Sequence, residues 1–263
     1  MPSEVPAQAS GATITPDWPV AACVGALMST RLGGTSAAPW DSLNLGTAVG
    51  DDAAAVAENR CRFAKTLGAS PVWLHQVHGR RVVRLRPTHV GAPPLSADAA
   101  WTDEPGLACT IQVADCLPVL LAAPQGRAVA AAHAGWRGLA QGVVEAALAA
   151  LCDGAQCAPG EVTAWLGPCI GPRQFEVGAE VLAAFGEVPA RAQGGLFVPR
   201  AGSDGQPRWL ANLPQLARQR LLRAGVRRIS VAEACTVEQR SRFFSYRRDG
   251  VTGRMAAAVF IRA

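Results

Sequence analysis

Short apolar patches of strand character recur from one end of the chain to the other, and they limit what it can fold into. They are Ala22–Met28, Val72–Leu74, Val82–Leu85, Leu107–Val113, Pro118–Ala122, Ala128–His133, Val162–Leu166, Ile229–Val231 and Met255–Ile261. Helical periodicity appears between them in four places. One helix starts at Asp51-Asp52, acids at its positive end, with Val56, Cys61, Phe63 and Leu67 on the buried side. Gly142–Leu151, Gly178–Phe185 and Leu213–Ala224 are the others. Strands outnumber helices and do not alternate with them regularly. That favours an α+β domain built on mixed β-sheets over a doubly wound α/β fold.

A chain of 263 residues is long enough for one large core. Residues 17–263 are expected to form a single domain, preceded by a loose, proline-punctuated tail over residues 1–16. The glycine-rich stretch Gln193–Gln206 is expected to be a surface loop or hairpin. No internal repeat or linker divides the sequence.

A hydrophobic content of 49% against 17% charged residues describes a soluble globular protein. Apolar runs such as Leu117–Ala123 stop far short of the ~18 residues that mark a membrane helix. The N-terminus has neither a basic region nor an apolar core, so no secretory signal is expected. The net charge of +5 is almost all arginine, Lys65 being the one lysine. Arg227-Arg228 and Arg247-Arg248 are only pairs, too sparse for a nucleic-acid surface. Eight cysteines without a CxxC pair fit free thiols in a reducing cytoplasm. A monomer is expected.

Familiar chemistry is excluded first. The single lysine stands in CRFAKTLG, which rules out a P-loop, and no GxGxxG, GxSxG or HExxH string occurs. The HxE…PCxxC signature of zinc base deaminases is missing too. Histidine is scarce: His75, His78, His89 and His133.

Three segments place reactive residues at the ends of apolar strands. In Trp73-Leu74-His75-Gln76-Val77-His78-Gly79, a strand would send His75 and His78 to opposite faces, one into a site and the other in support. In Val113-Ala114-Asp115-Cys116-Leu117-Pro118-Val119, the proline suggests a bulge or strand start that re-aims a side chain. In Ala132-His133-Ala134-Gly135-Trp136-Arg137-Gly138, a glycine-rich strand-to-helix turn offers backbone N–H groups to an anion, and Arg137 adds a forked donor.

Singly, such residues are ordinarily structural: a strand cysteine is a small core hydrophobe, a histidine a packed polar group. Together, His78, Cys116 and His133 supply two imidazoles and a thiolate, a three-ligand set for zinc with an open fourth position. Their separations match no local metal motif. Asp115 and Asp98 are candidates to orient these ligands, and His75 to support them. The same residues also suit a cysteine hydrolase, with Cys116 as nucleophile, His133 as base and Asp115 as orienter. Metal content separates the two readings.

HQVHG, ADCLPVLL, HAGWRG, LGPCIGPRQFEVG and FFSYRRDGVTGRMAA, with TRLGGTS, SLNLG and VGDD nearer the start, resemble the YfiH family, formerly called laccase-like multicopper polyphenol oxidases. The resemblance runs from about residue 22 to residue 261. It implies a mixed β-sandwich flanked by helices, related to a cysteine-hydrolase architecture. It also implies zinc on His78, Cys116 and His133, and phosphorolysis of purine nucleosides (adenosine, inosine, guanosine, methylthioadenosine) with adenosine deamination. Two further labels come with it: an editing hydrolase that removes misincorporated serine from cytoplasmic peptidoglycan precursors, and a copper-dependent polyphenol oxidase. A full laccase needs many more imidazoles than four, so copper chemistry of that kind is excluded on ligand count. Trp101, expected near the site, stands where relatives often carry a small aliphatic residue. Arg137 with the Gly135–Gly138 turn is the expected phosphate site, and Arg31 and Asn44 are candidate substrate contacts. Arg247 and Arg248, as neighbouring strand residues, would face opposite ways, so at most one reaches the site.

Overall fold

The computed structural model describes residues 11–187, 195–202 and 205–263. Two sheets form its centre. The first holds five strands in the order Thr13–Ile14, Val24–Ser29, Met255–Ile261, Leu107–Val113 and Ser70–Val72. The second holds six, in the order Arg228–Val231, Thr163–Leu166, Leu117–Ala122, Val129–Ala134, Ala99–Thr102 and Val82–Arg84. Parallel and antiparallel neighbours occur in both, as the mixed-sheet expectation requires.

Side-chain alternation with period two sorts the layers. Leu120, Ala122, Val129 and Ala131 of the second sheet share a core with Ile111, Val113, Ala257 and Val259 of the first. The intervening residues Val119, Leu121, Ala130 and Ala132 pack instead against Val144, Ala147, Leu148 and Leu151 of the helix Val143–Ala155. On the far side of the first sheet, Ala256, Ala258 and Phe260 meet Phe63 and Leu67 of the helix Ala53–Leu67. The result is a helix, two stacked sheets and a second helical layer. Strands buried on both faces explain the continuous apolar runs in the sequence.

The helices over residues 53–67, 143–155, 179–184 and 213–223 stand where periodicity places them. Asp52 caps the first by accepting from the Ala55 N–H. Its buried stripe is Val56, Asn59, Phe63 and Leu67; Cys61 is exposed, since it falls two residues past Asn59 and off the stripe. Two short helices were not expected: Trp136–Gln141, and Tyr246–Asp249, whose Ser245 cap accepts from the Arg248 N–H. Arg247 and Arg248 therefore lie on a helical turn rather than a strand. The expected tail ends sooner than residue 16, because Thr13–Ile14 pairs with Met28 and Ser29; residues 1–10 lie outside the described residues. The Gln193–Gln206 stretch is a hairpin where it is described, Phe197–Ala201 pairing with Pro207–Ala211; its residues 193, 194, 203 and 204 lie outside. All eight cysteines are free. No helix of the described residues is long and apolar enough to cross a membrane.

Candidate active site

Strand register brings the reactive residues together. Leu117–Ala122 and Val129–Ala134 run antiparallel with His133 opposite Pro118, so the end of one strand lies beside the start of the other and Cys116 meets His133. On the other edge of Val129–Ala134, Ala132 pairs with Ala99, and the His133 N–H donates to the Asp98 carbonyl at 2.7 Å. Asp98 is fully buried, and its carboxylate is the organising group. Oδ1 meets His133 Nδ1 at 2.8 Å and accepts the His78 N–H at 2.9 Å, while Oδ2 accepts from Val77 and Gly79 at 3.1 and 2.8 Å. Three consecutive backbone N–H groups wrap one carboxylate, which holds His78 at a positive φ of 59°. Gln76 ties the same segment to the first sheet, its amide exchanging two hydrogen bonds with the backbone of Gln112.

The ligand atoms of His78, Cys116 and His133 all lie within 4.8 Å of one another. Cys116 Sγ is 3.7 Å from His78 Nε2. A zinc tetrahedron with bonds of about 2.3 Å to sulfur and 2.0–2.1 Å to nitrogen has an S···N edge of about 3.6 Å, so the cluster fits that ion. The rings of His78 and His133 stand edge to face with centroids 4.7 Å apart. With Nδ1 of His133 committed to Asp98, Nε2 remains as its ligand atom.

Electrostatics prepare the cluster for a cation. Burial alone would raise the Cys116 thiol, but the neighbouring imidazoles, His133 foremost, bring it down to about 6. Burial would lower His133, and the Cys116 thiolate and Asp98 carboxylate outweigh it, raising the imidazole to about 9. Burial would likewise raise Asp98, yet the bonds from His133 and the backbone N–H groups hold it below the ordinary carboxylate range. The neighbouring imidazoles thus favour the thiolate, the form of Cys116 that a metal ion takes.

Gly135 is part of the same construction. A Cβ there would stand 2.8 Å from His78 Cδ2 and 3.0 Å from Cys116 Sγ. Its φ of −63° suits any residue, so Gly135→Ala is expected to fold and to lose about tenfold to a hundredfold in zinc affinity, the scale of changes just outside the ligands. Competition against a chromophoric chelator measures this; unchanged affinity would show that the cluster yields freely.

The cluster opens into a cleft of about 740 Å3. Trp73, Trp136 and Tyr246 supply aromatic wall, and Arg60, Arg137, Arg247 and Arg254 supply charge; no carboxylate lines it among the described residues. Arg137 lies over the Trp136 ring at 4.4 Å. Arg247 donates its backbone N–H to Asp115 at 2.6 Å and its guanidinium to the Glu176 carbonyl. Arg248 turns the other way, binding Asp249 and the carbonyls of Thr236, Val237 and Phe243, so one of the adjacent pair reaches the cleft.

Other expected site residues fall elsewhere. His75 and His78 both line the cleft, because the strand ends at His75 and the positive φ of His78 breaks the alternation that would have separated them. Asp115 does not orient a ligand: with φ of 94°, it accepts from Thr236 Oγ1, Ser245 Oγ and the Arg247 N–H, anchoring the helix Tyr246–Asp249. Arg31 is outside the cleft, bound to Asp41 and the Arg240 carbonyl beside a separate cavity. Asn44 is buried and spent on its own loop, bonded to Gly46, Asp51 and the Arg254 N–H. Trp101 packs over Gly154 of the helix Val143–Ala155, away from the cleft. The helix after Gly135 has six residues, too short to add much dipole, which leaves the anion to side chains. Arg60 and Arg254 are additions to the expected set. An arginine on a polar helix, as Arg60 is with Arg62 and Lys65, carries no signal in the sequence.

Comparison with known proteins agrees with this architecture. The family model described as multi-copper polyphenol oxidoreductase laccase matches residues 25–262. A protein of Pseudomonas aeruginosa named purine nucleoside phosphorylase is 50% identical over 252 residues, 95% of this chain and 99% of that one. The purine nucleoside phosphorylase YfiH of Escherichia coli K12 is 47% identical, covering 94% of this chain and 98% of its own. The crystal structure of YlmD from Geobacillus stearothermophilus superposes with a TM-score of 0.87 at 33% identity, covering 97% and 98% of the two chains. A Neisseria meningitidis structure gives the same TM-score at 44% identity, covering 96% and 100%. The chain belongs to the multi-copper polyphenol oxidoreductase laccase family, the YfiH family that its motifs resemble.

Proposed function

We propose that this protein is a zinc-dependent purine nucleoside phosphorylase. The observation that carries the reading is a His-Cys-His cluster opening into a cleft that holds arginines and aromatic rings and, among the described residues, no carboxylate. The names of its relatives agree. Phosphorolysis brings a phosphate oxygen to the anomeric carbon as the purine leaves. A metal ion on His78, Cys116 and His133 would supply Lewis acidity to that exchange.

The chain's own residues do the rest. Arg137 follows His133 across the Gly135 turn, and Arg247 is fixed by its backbone N–H to Asp115, the residue beside Cys116; both line the cleft that holds the cluster. Their forked donors suit an oxyanion. Trp73, Trp136 and Tyr246 offer flat apolar surface to a purine. Asp98 keeps His133 in the tautomer that presents Nε2. Adenosine deamination belongs to the same proposal, because it needs only an activated water at the purine ring in this cleft.

The test is incubation of the metal-loaded protein with inosine, with and without phosphate, following hypoxanthine by chromatography. Phosphate-dependent release is expected, and its absence from folded, zinc-loaded protein would refute the reading. Arg137→Ala is expected to raise the KM for phosphate about tenfold or more with little change in that for inosine. An unchanged phosphate KM would remove Arg137 from the site.

A second reading has its own observation. Asp98, His133 and Cys116 form the relay of a cysteine hydrolase, with Asp98 rather than Asp115 as orienter. It predicts amide cleavage by metal-free protein, as an editing hydrolase acting on peptidoglycan precursors would require.

A further inference from the structure

Phosphorolysis asks for more than an attacking oxyanion. As the C1′–N9 bond breaks, its electron pair moves onto the purine, and a proton at N7 relieves the charge that develops there. No carboxylate lines the cleft among the described residues, so a proton donor in its wall is another kind of group. Its arginines stay charged and give up no proton, and His78, Cys116 and His133 make up the ligand cluster. Two ionisable side chains of the wall are left, His75 and Tyr246.

These two are carried by different parts of the wall. Tyr246 directly precedes Arg247 on the helix Tyr246–Asp249, and the Arg254 guanidinium lies 5.9 Å from its ring centre, which puts the phenol among the groups suited to phosphate. His75 belongs with the aromatic surface suited to the base. Along Trp73-Leu74-His75 the side chains alternate: Leu74 is buried, and the two rings line the cleft. Arg60 extends that surface, its guanidinium 4.0 Å from the centre of the Trp73 ring. The frame beneath is shared with the metal cluster. Leu74 and His75 pair with Leu95 and Ser96, and the His75 carbonyl accepts from the Ala97 N–H at 3.1 Å. Asp98, the next residue, holds the N–H groups of residues 77–79. One short segment, 95–98, therefore fixes the backbone of both His75 and His78.

We propose that His75 is the general acid of the reaction, the catalytic residue that protonates N7 of the departing purine. This deepens the phosphorylase reading and rests on it. An N–H bond of the imidazolium breaks as the N7–H bond forms, the C1′–N9 electron pair passes into the purine ring, and a C1′–O bond to hydrogenphosphate forms. The proton that hydrogenphosphate gives up returns through water to the imidazole. Nucleoside and phosphate thus become free purine and ribose 1-phosphate, with His75 restored.

The test compares metal-loaded His75→Asn with the unsubstituted protein on inosine and on 7-methylinosine, each with saturating phosphate. Methylation at N7 makes the base cationic in the substrate, so it leaves neutral and needs no proton. On inosine, kcat is expected to fall about a hundredfold or more, the scale of a lost general acid. On 7-methylinosine it is expected to change little, and zinc affinity by chelator competition is expected to match that of the unsubstituted protein. An equal fall on both substrates would make His75 a structural part of the wall and overturns the proposal, as does an unchanged kcat on inosine. Tyr246→Phe is expected to treat the two substrates alike. A loss on inosine that 7-methylinosine escapes would move the proton to the phenol and would also overturn it. Turnover of neither substrate by folded, zinc-loaded, unsubstituted protein refutes the phosphorylase reading and the acid with it. Turnover of both, with His75→Asn equal to its parent, leaves the phosphorylase standing and refutes the acid alone.

Discussion

Cys116→Ala is expected to abolish zinc binding and phosphorolysis together while the fold persists. The thiolate would be one of three ligands, and two imidazoles alone would leave zinc without the charged donor that the neighbouring imidazoles favour. Several kcal/mol of transition-state stabilisation go with the ion. At about 1.4 kcal/mol per factor of ten, the rate should fall on the order of a thousandfold. The side chain stands at a strand start, beside rather than within the apolar core, so thermal stability without metal should change little. Metal analysis, circular dichroism and product release on the same sample check all three. Because a nucleophilic cysteine would be lost equally, the companion measurement uses the unsubstituted protein stripped of metal. Full turnover there, with Cys116 intact, would move the chemistry from the metal to the thiolate.

Asp98→Asn should produce the largest effect of any residue that touches no substrate. The carboxylate accepts from His133 Nδ1 and three backbone N–H groups, and it is fully buried. An amide of the same size keeps one acceptor oxygen and turns an NH2 toward groups that are themselves donors. Leaving buried donors unpaired costs roughly 2–4 kcal/mol in stability. Loss of the bond that fixes the His133 tautomer should weaken zinc binding about tenfold to a hundredfold. Urea unfolding of metal-free protein reads the first effect and chelator competition the second. Lowered stability with unchanged zinc affinity would make Asp98 a scaffold for the 77–79 turn alone.

Most of the fold is legible in the apolar patches because these strands are buried on one or both faces, and burial leaves a mark in composition. Leu107–Val113 and Met255–Ile261 match the observed strands to the residue. Strands and turns held by a partner elsewhere leave no such mark. Ala99–Thr102 is short and carries no distinctive pattern, yet it pairs with Val129–Ala134 and places Asp98 under both histidines. The helix Tyr246–Asp249 forms where Asp115, more than a hundred residues earlier, accepts its second N–H. Alternation misplaced His75 because a left-handed residue at His78 cancels the rule that alternation depends on.

Residue identity alone determined the chemistry available to this protein. Four histidines and one lysine exclude whole classes of enzyme, and a thiol near a strand-start proline, taken together with two of those histidines, marks a candidate site. Which of those groups meet was decided by strand register and by one buried carboxylate. Register is a property of pairs of distant segments, and Asp98 acts through backbone N–H groups that every sequence possesses. Arg31 and Arg60 show the same division. Both are arginines without a motif around them, and only the packing of the Asn44–Gly46 loop puts Arg60 in the cleft while Asp41 takes up Arg31.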